Sequence, residues 1–192
     1  MPAERPKQIY QLKITLKGAK PPIWRRVLLP SDLTLDVLHE VIQIAMGWTS
    51  SHLHQFVAGG RFYGVPDDDF DFEVQDEAEV RLGDVLRKEK EAMVYEYDFG
   101  DGWEHQVLLE KLLPFDDAQA LPICVKGRRA CPPEDCGGIY GYADLLRILA
   151  DPADPQHQDV LEWVGGPLDP EAFDIDDTNL ALAALGVTGQ RR

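Results

Sequence analysis

Long apolar runs are missing from this chain. The longest, Leu180 to Leu185, has six residues, against the roughly 18 a membrane-spanning helix needs. The opening stretch Met1-Pro2-Ala3-Glu4-Arg5-Pro6-Lys7 is polar and lacks the apolar core of an export signal, so a cytoplasmic location with no membrane partner is expected. Cysteine is scarce and odd in number. Three thiols in 192 residues argue against a closed disulfide framework, and in the cytoplasm they would stay reduced. Positive charge is also in short supply: 19 Lys and Arg face 34 Asp and Glu, a net −15. So acidic a surface repels a phosphate backbone, which disfavours broad-surface binding of nucleic acid. Also absent are the GxSxG elbow, the HExxH helix, the P-loop and the Rossmann fingerprint, so enzyme classes with strong short signatures find no support.

What is present is globular. The chain is 44% hydrophobic and 28% charged, and a single domain over residues 1–192 would bury about 70% of its unfolded surface. Charge is uneven: residues 1–30 hold seven basic groups and one acid, and Lys13, Lys17, Lys20 and one arginine could form a local basic strand face.

Residues 9–17 alternate Tyr10, Leu12, Ile14, Leu16 against Gln11, Lys13, Thr15, Lys17, the period of a half-buried strand. Trp24 to Leu29 read as a second strand, with Arg25 and Arg26 on opposite faces. Helical spacing predicts a helix over 35–46, with Thr34 at its start and Gly47 at its end. His52 to Val57 and Arg61 to Tyr63 make a hairpin about Gly59-Gly60, and residues 67–79, with eight acids, read as a surface loop. A short helix is expected within 80–88. Met93, Tyr95, Tyr97 and Phe99 share a strand face, Gly100-Asp101-Gly102 turn the chain, and Trp103, His105, Val107 and Leu109 share a face on the return. Residues 114–138, with four prolines and all three cysteines, read as loop; helices follow at about 142–149, 156–164 and 178–185. The expected fold class is α+β: a mixed or antiparallel sheet packed on helices, whose first half fits a β-grasp-like core, followed by a helical C-terminal part.

Three constellations could carry chemistry. Cys124, Cys131 and Cys136 could converge on a soft ion such as zinc, with His105 or another histidine as fourth ligand, and Arg128 and Arg129 could lower their pKa; the alternatives are a redox role and, more plainly, three small buried side chains. His52 and His54 would share a strand face about 7 Å apart and could serve one metal, with His105 a further candidate ligand, or act as a paired acid–base. The turn from Asp98 to His105 gathers Asp98, Asp101, Glu104 and an imidazole, suited to a cation or to acid–base work, or to nothing more than a tight turn.

Taken together, the motifs Pro22-Ile23-Trp24-Arg25-Arg26-Val27, Leu38-His39, Ala45-Met46-Gly47-Trp48, His52-Leu53-His54-Gln55-Phe56, Tyr97 to His105, Arg129 to Gly138 and Leu168 to Asp174 resemble the plasmid pRiA4b ORF-3-like family, whose members are also known as transposon passenger proteins. The resemblance spans about residues 8–185. It implies an α+β fold and brings no established activity; the mobile-element association implies a nucleic-acid context without requiring contact with DNA. The family pattern falls on Trp24, Arg25, Arg26, His39, Trp48, His52, Phe56, Asp98, Asp101, Trp103, His105, Cys131, Glu134, Asp135 and Cys136.

These readings favour a binding module for a peptide, a small ligand or a metal. Trp24, Trp48 and Trp103 would wall the site, and Arg25, Asp98, Asp101, His105 and Glu134 would orient the ligand. The rivals are a metal-dependent hydrolase-like enzyme and a nucleic-acid accessory protein working through the basic strand face.

Overall fold

The computed structural model describes residues 7–66 and 73–186. Its centre is strand β1 (Gln8–Leu16), whose alternation buries Tyr10, Leu12, Ile14 and Leu16 and turns Gln11, Lys13 and Thr15 outward. Beside it lie β2 (Trp24–Pro30) and β7 (Trp103–Pro114), both antiparallel to it. With β3 (His54–Ala58), β4 (Arg61–Gly64), β5 (Val74–Asp76), β6 (Ala92–Tyr97) and β8 (Ile123–Arg128) they form one eight-stranded sheet in the order β5-β4-β3-β6-β7-β1-β2-β8. Only β4 and β5 pair in parallel, so the sheet is mixed and the α+β expectation holds. The β1–β2 hairpin is followed by helix α1, but the strands after that helix join the sheet beyond β7 rather than beside β1, whose two neighbours are both antiparallel to it, so the order is not that of the expected β-grasp-like core.

Helix α1 (Leu35–Met46) has the bounds its periodicity predicts. Gly47 ends it at φ +94°, a left-handed conformation glycine adopts without strain, and its N–H returns to the Gln43 carbonyl. Leu35, Leu38, Val41, Ile42 and Ala45 join Leu12, Ile14, Val27, Tyr95, Trp103 and Val107 in one core. The short α2 (Leu82–Val85) occupies part of the 80–88 segment, and α3 (Gly138–Ala150), α4 (His157–Trp163) and α5 (Ile175–Ala184) form the helical C-terminal part. No helix among the described residues is long and apolar enough to cross a membrane.

Three further expectations need correction. The cysteine-bearing loop contains β8, an edge strand whose Cys124 N–H donates to Asn179 Oδ1 at 2.7 Å while Asn179 Nδ2 donates to the Cys124 carbonyl at 3.0 Å. A side chain of α5 thus covers an edge that lacks a clean apolar alternation. The acidic run is not solvated throughout: residues 67–72 lie outside the described residues, but Val74–Asp76 are strand β5 and Glu77 is 4% exposed. Finally, Phe99 leaves the face of Tyr95 and Tyr97. Asp98 takes φ +55°, which ends β6 and turns Phe99 outward, 46% exposed.

Candidate functional site

Asp36, His39 and Glu40, spaced i, i+3, i+4, stand on one side of α1. Facing them are Ser50, His52, Leu53 and His54 on the approach to β3, Val65 and Pro66 beyond β4, Glu77 after β5 and Phe99 from the β6–β7 turn. Together they line a cleft of about 470 Å³, within the range of small-molecule sites. Leu53, Val65 and Phe99, 65%, 64% and 46% exposed, give it an apolar rim. Its floor, formed by His39, His54 and Glu77, is polar and largely buried, and Glu40 stands exposed at its side.

The floor is a hydrogen-bonded stack. His54 Nε2 lies 2.9 and 3.0 Å from the two carboxylate oxygens of Glu77. Its ring stacks on His39 at 3.5 Å, nearly parallel. His39 in turn contacts the Tyr95 hydroxyl through Nδ1 at 2.7 Å and Ser50 Oγ through Nε2 at 3.1 Å, while Gln43 Nε2 donates to the same Tyr95 oxygen. Burial, reinforced by His54, pushes the His39 imidazole down to about 3, so it is neutral at pH 7.

At the cleft's edge a second group gathers. His52 Nε2 is 3.2 Å from Asp135 Oδ1 and 3.8 Å from Asp98 Oδ2. These three residues are the group of metal-ligating side chains that comes together among the described residues, with one donor atom from each lying within 4.8 Å of the others. Asp98 is fixed by its turn: Oδ1 accepts from the N–H groups of Gly100 and Asp101, and its own N–H donates to the Leu53 carbonyl. His52 Nε2 is buried yet makes no hydrogen bond of good geometry, and Asp36 Oδ1 is likewise buried without a partner.

The remaining candidates disperse. His52 and His54 do not fall into one three-ligand group among the described residues: β3 begins only at His54, so the strand geometry that would align the two rings does not extend to His52. His105 is fully enclosed, edge-on to Trp48 and tilted on Tyr95, with neither ring nitrogen hydrogen-bonded; burial pushes it down to about 4. Trp48 and Trp103 are core residues, and the Trp48 indole donates to the Pro132 carbonyl at 2.9 Å. Trp24 stands on the other sheet face beneath Lys13 and Arg26, so the three tryptophans wall no common site. Arg25 is 2% exposed. It donates to the carbonyls of Ala45, Trp24 and Arg128 and lies 3.9 Å from the centre of the Phe173 ring, joining α1, the β2–β8 edge and the segment before α5. Asp101 Oδ2 accepts from the Gly137 N–H, tying the hairpin turn to the cysteine segment. Glu134 accepts from Thr49 Oγ1 at 2.6 Å and from the Tyr97 hydroxyl; burial alone would raise its pKa, but these bonds outweigh it and hold the carboxyl below its ordinary range.

The thiols do not gather as three ligands among the described residues, and all are free. Burial raises each of them, Cys136 to about 12, and the cation acting on Cys124 and Cys131 is Arg25 rather than Arg128 or Arg129. Burial thus favours the thiol form of all three when no ion is bound.

The pattern of buried aromatics and turns has a family behind it. The model for the plasmid pRiA4b ORF-3-like protein family matches residues 8–177. The chain belongs to this family. It is 37% identical over 186 residues to the uncharacterized protein y4hQ of Sinorhizobium fredii, covering 96% of this chain and 95% of that one. A crystal structure of MM3350, a protein of unknown function from Methanosarcina mazei Go1, matches with a TM-score of 0.83 at 38% identity, over 89% of this chain and 96% of that chain. Neither name assigns a chemistry, so the functional reading rests on the cleft.

Sequence reasoning missed Asp36, Glu40, Ser50, Val65, Phe99 and Glu77 as parts of one site. Glu77 was hidden in an acidic run, and nothing local distinguishes the others. His39 and Asp135 did carry a signal, since both fall on the family pattern.

Proposed function

We propose that the chain is a binding module whose cleft takes a small cationic ligand, an amine carrying an apolar group. The observation that carries this reading is the cleft's division of labour: an exposed rim of Leu53, Val65 and Phe99 beside the carboxylates of Asp36, of the exposed Glu40 and of the His54-bound Glu77, with no Lys or Arg among the described lining residues. The unpartnered Asp36 Oδ1 supports it, because a buried acceptor without a donor costs about 1–3 kcal/mol that an ammonium would recover. The net charge of −15 adds a field that favours cations and disfavours anions. A free amine, a lysine side chain and a peptide N-terminus share this chemistry.

The nucleic-acid reading has less support. Lys17 pairs with Glu104 at 2.8 Å and Arg26 with Glu110, so the basic strand face is largely neutralised by acids from β7.

Calorimetric titration at pH 7 with 2-phenylethylamine and its carboxylate counterpart 3-phenylpropanoate tests the proposal. The amine is expected to bind saturably, more weakly to Asp36→Asn, and the carboxylate not at all. Equal binding of both, or of neither, would overturn it.

A further inference from the structure

We propose that His52, Asp98 and Asp135 form a site for one divalent cation of the manganese or zinc type. The donor set is one imidazole nitrogen and two carboxylate oxygens, which suits borderline to hard divalent ions. Ligands on such an ion lie about 2.0–2.2 Å from it and therefore roughly 3–3.5 Å from one another. His52 Nε2 and Asp135 Oδ1 already stand 3.2 Å apart, and Asp98 Oδ2 is 3.8 Å from the same nitrogen. Closure on an ion takes a small shift of His52 toward Asp98 together with a rotation of Asp135, whose side chain is 69% exposed, toward Asp98.

Two features distinguish this group from a chance cluster of surface acids. The His52 Nε2 atom is buried and stands 3.8 and 3.2 Å from the Asp98 and Asp135 carboxylates, yet hydrogen-bonds to neither, so that in the tautomer protonated at Nδ1 it can donate its lone pair to an ion. Asp98 is held before any ion arrives: the N–H groups of Gly100 and Asp101 occupy Oδ1, which leaves Oδ2 toward His52. The segment carrying Asp135 is pinned on both sides, by Trp48 to Pro132 and by Asp101 to Gly137. Three protein ligands leave open positions on the ion for water or for a donor atom of a ligand.

The inference does not depend on the amine reading: the two sites share His52, but the cation site's Asp98 and Asp135 lie outside the cleft lining. Manganese is the probe of choice, since a hard ion avoids the thiols. Untagged, chelator-treated full-length chain is titrated with Mn²⁺ alone, with stoichiometry read by calorimetry and location by paramagnetic broadening of NMR signals. One ion per chain is expected, broadening His52, Asp98 and Asp135 first. Asp135→Asn, which keeps a residue tolerant of the left-handed backbone at φ +59°, should weaken Mn²⁺ by more than the ~10-fold that follows loss of an outer-shell partner. It should leave 2-phenylethylamine binding unchanged, and Cys131→Ser should leave Mn²⁺ binding unchanged. Absence of saturable Mn²⁺ binding, or binding indifferent to Asp135→Asn, would overturn the site.

Discussion

Burial of His39 and His105 makes the fold sensitive to acid. Burial lowers both, from 6.5 to about 3 and about 4 respectively. In the unfolded chain they would take up protons near pH 6.5, whereas the folded chain keeps them neutral. Below that pH the unfolded state binds more protons, so stability falls as pH falls. Each histidine contributes a slope of up to about 1.4 kcal/mol per pH unit, down to its own folded value. Urea unfolding from pH 7 to 4.5 should reveal this loss, with a smaller slope in His105→Phe; a ring NMR titration of His105 near 6.5 in the folded protein would contradict it. The same two residues mark what single-residue reading could reach. A histidine on a strand or helix face announces its position but not its partners, and the stack of His39 on His54 joins residues fifteen apart in sequence. The cation group is more scattered still, since Asp135 is brought to His52 only by the packing of the 131–137 segment against the β6–β7 turn.

Among the elements, those with a strong local period were legible. The alternation of β1, the helical spacing and terminal glycine of α1 and the β6–β7 hairpin all stand close to where the residues put them. Strand β8 was not legible, because it carries Gly127 and a single buried apolar side chain, Cys124, and depends on Asn179 of α5 for part of its hydrogen bonding. Its pairing is tertiary rather than local. The same holds for the junction of the cysteine segment with α3, where side-chain space is absent. A Cβ on Gly141 would stand 1.9 Å from the Cys136 carbonyl oxygen, a backbone atom that cannot swing aside. Gly141→Ala should therefore destabilise the fold by about 2 kcal/mol or more through overpacking, measured as a lowered urea midpoint. A change below about 0.5 kcal/mol, the size of an ordinary surface substitution, would show that the segment yields freely.

At the scale of the whole molecule, the sheet divides two chemistries. One face, with Lys13, Lys17 and Arg26 set against Glu104 and Glu110, is a balanced ionic surface. The other carries the aromatic core, and at its end, where α1 meets β3, the cleft opens with its acids, imidazoles and apolar rim. The overall acidity was legible from composition, but its concentration in a concave site was not, because Asp36, Glu40 and Glu77 meet only after the chain has crossed the sheet. We propose this cleft, rather than the groove between α3 and α4 or the basic strand face, as the seat of the ligand. Amide NMR shifts recorded across the chain during 2-phenylethylamine titration test it most directly. Saturable shifts concentrated at Asp36, His39, Glu40, Leu53, His54 and Phe99 are the result predicted. Shifts centred on Leu145, Val160 and Trp163 of the α3–α4 groove, or none that saturate, would contradict it.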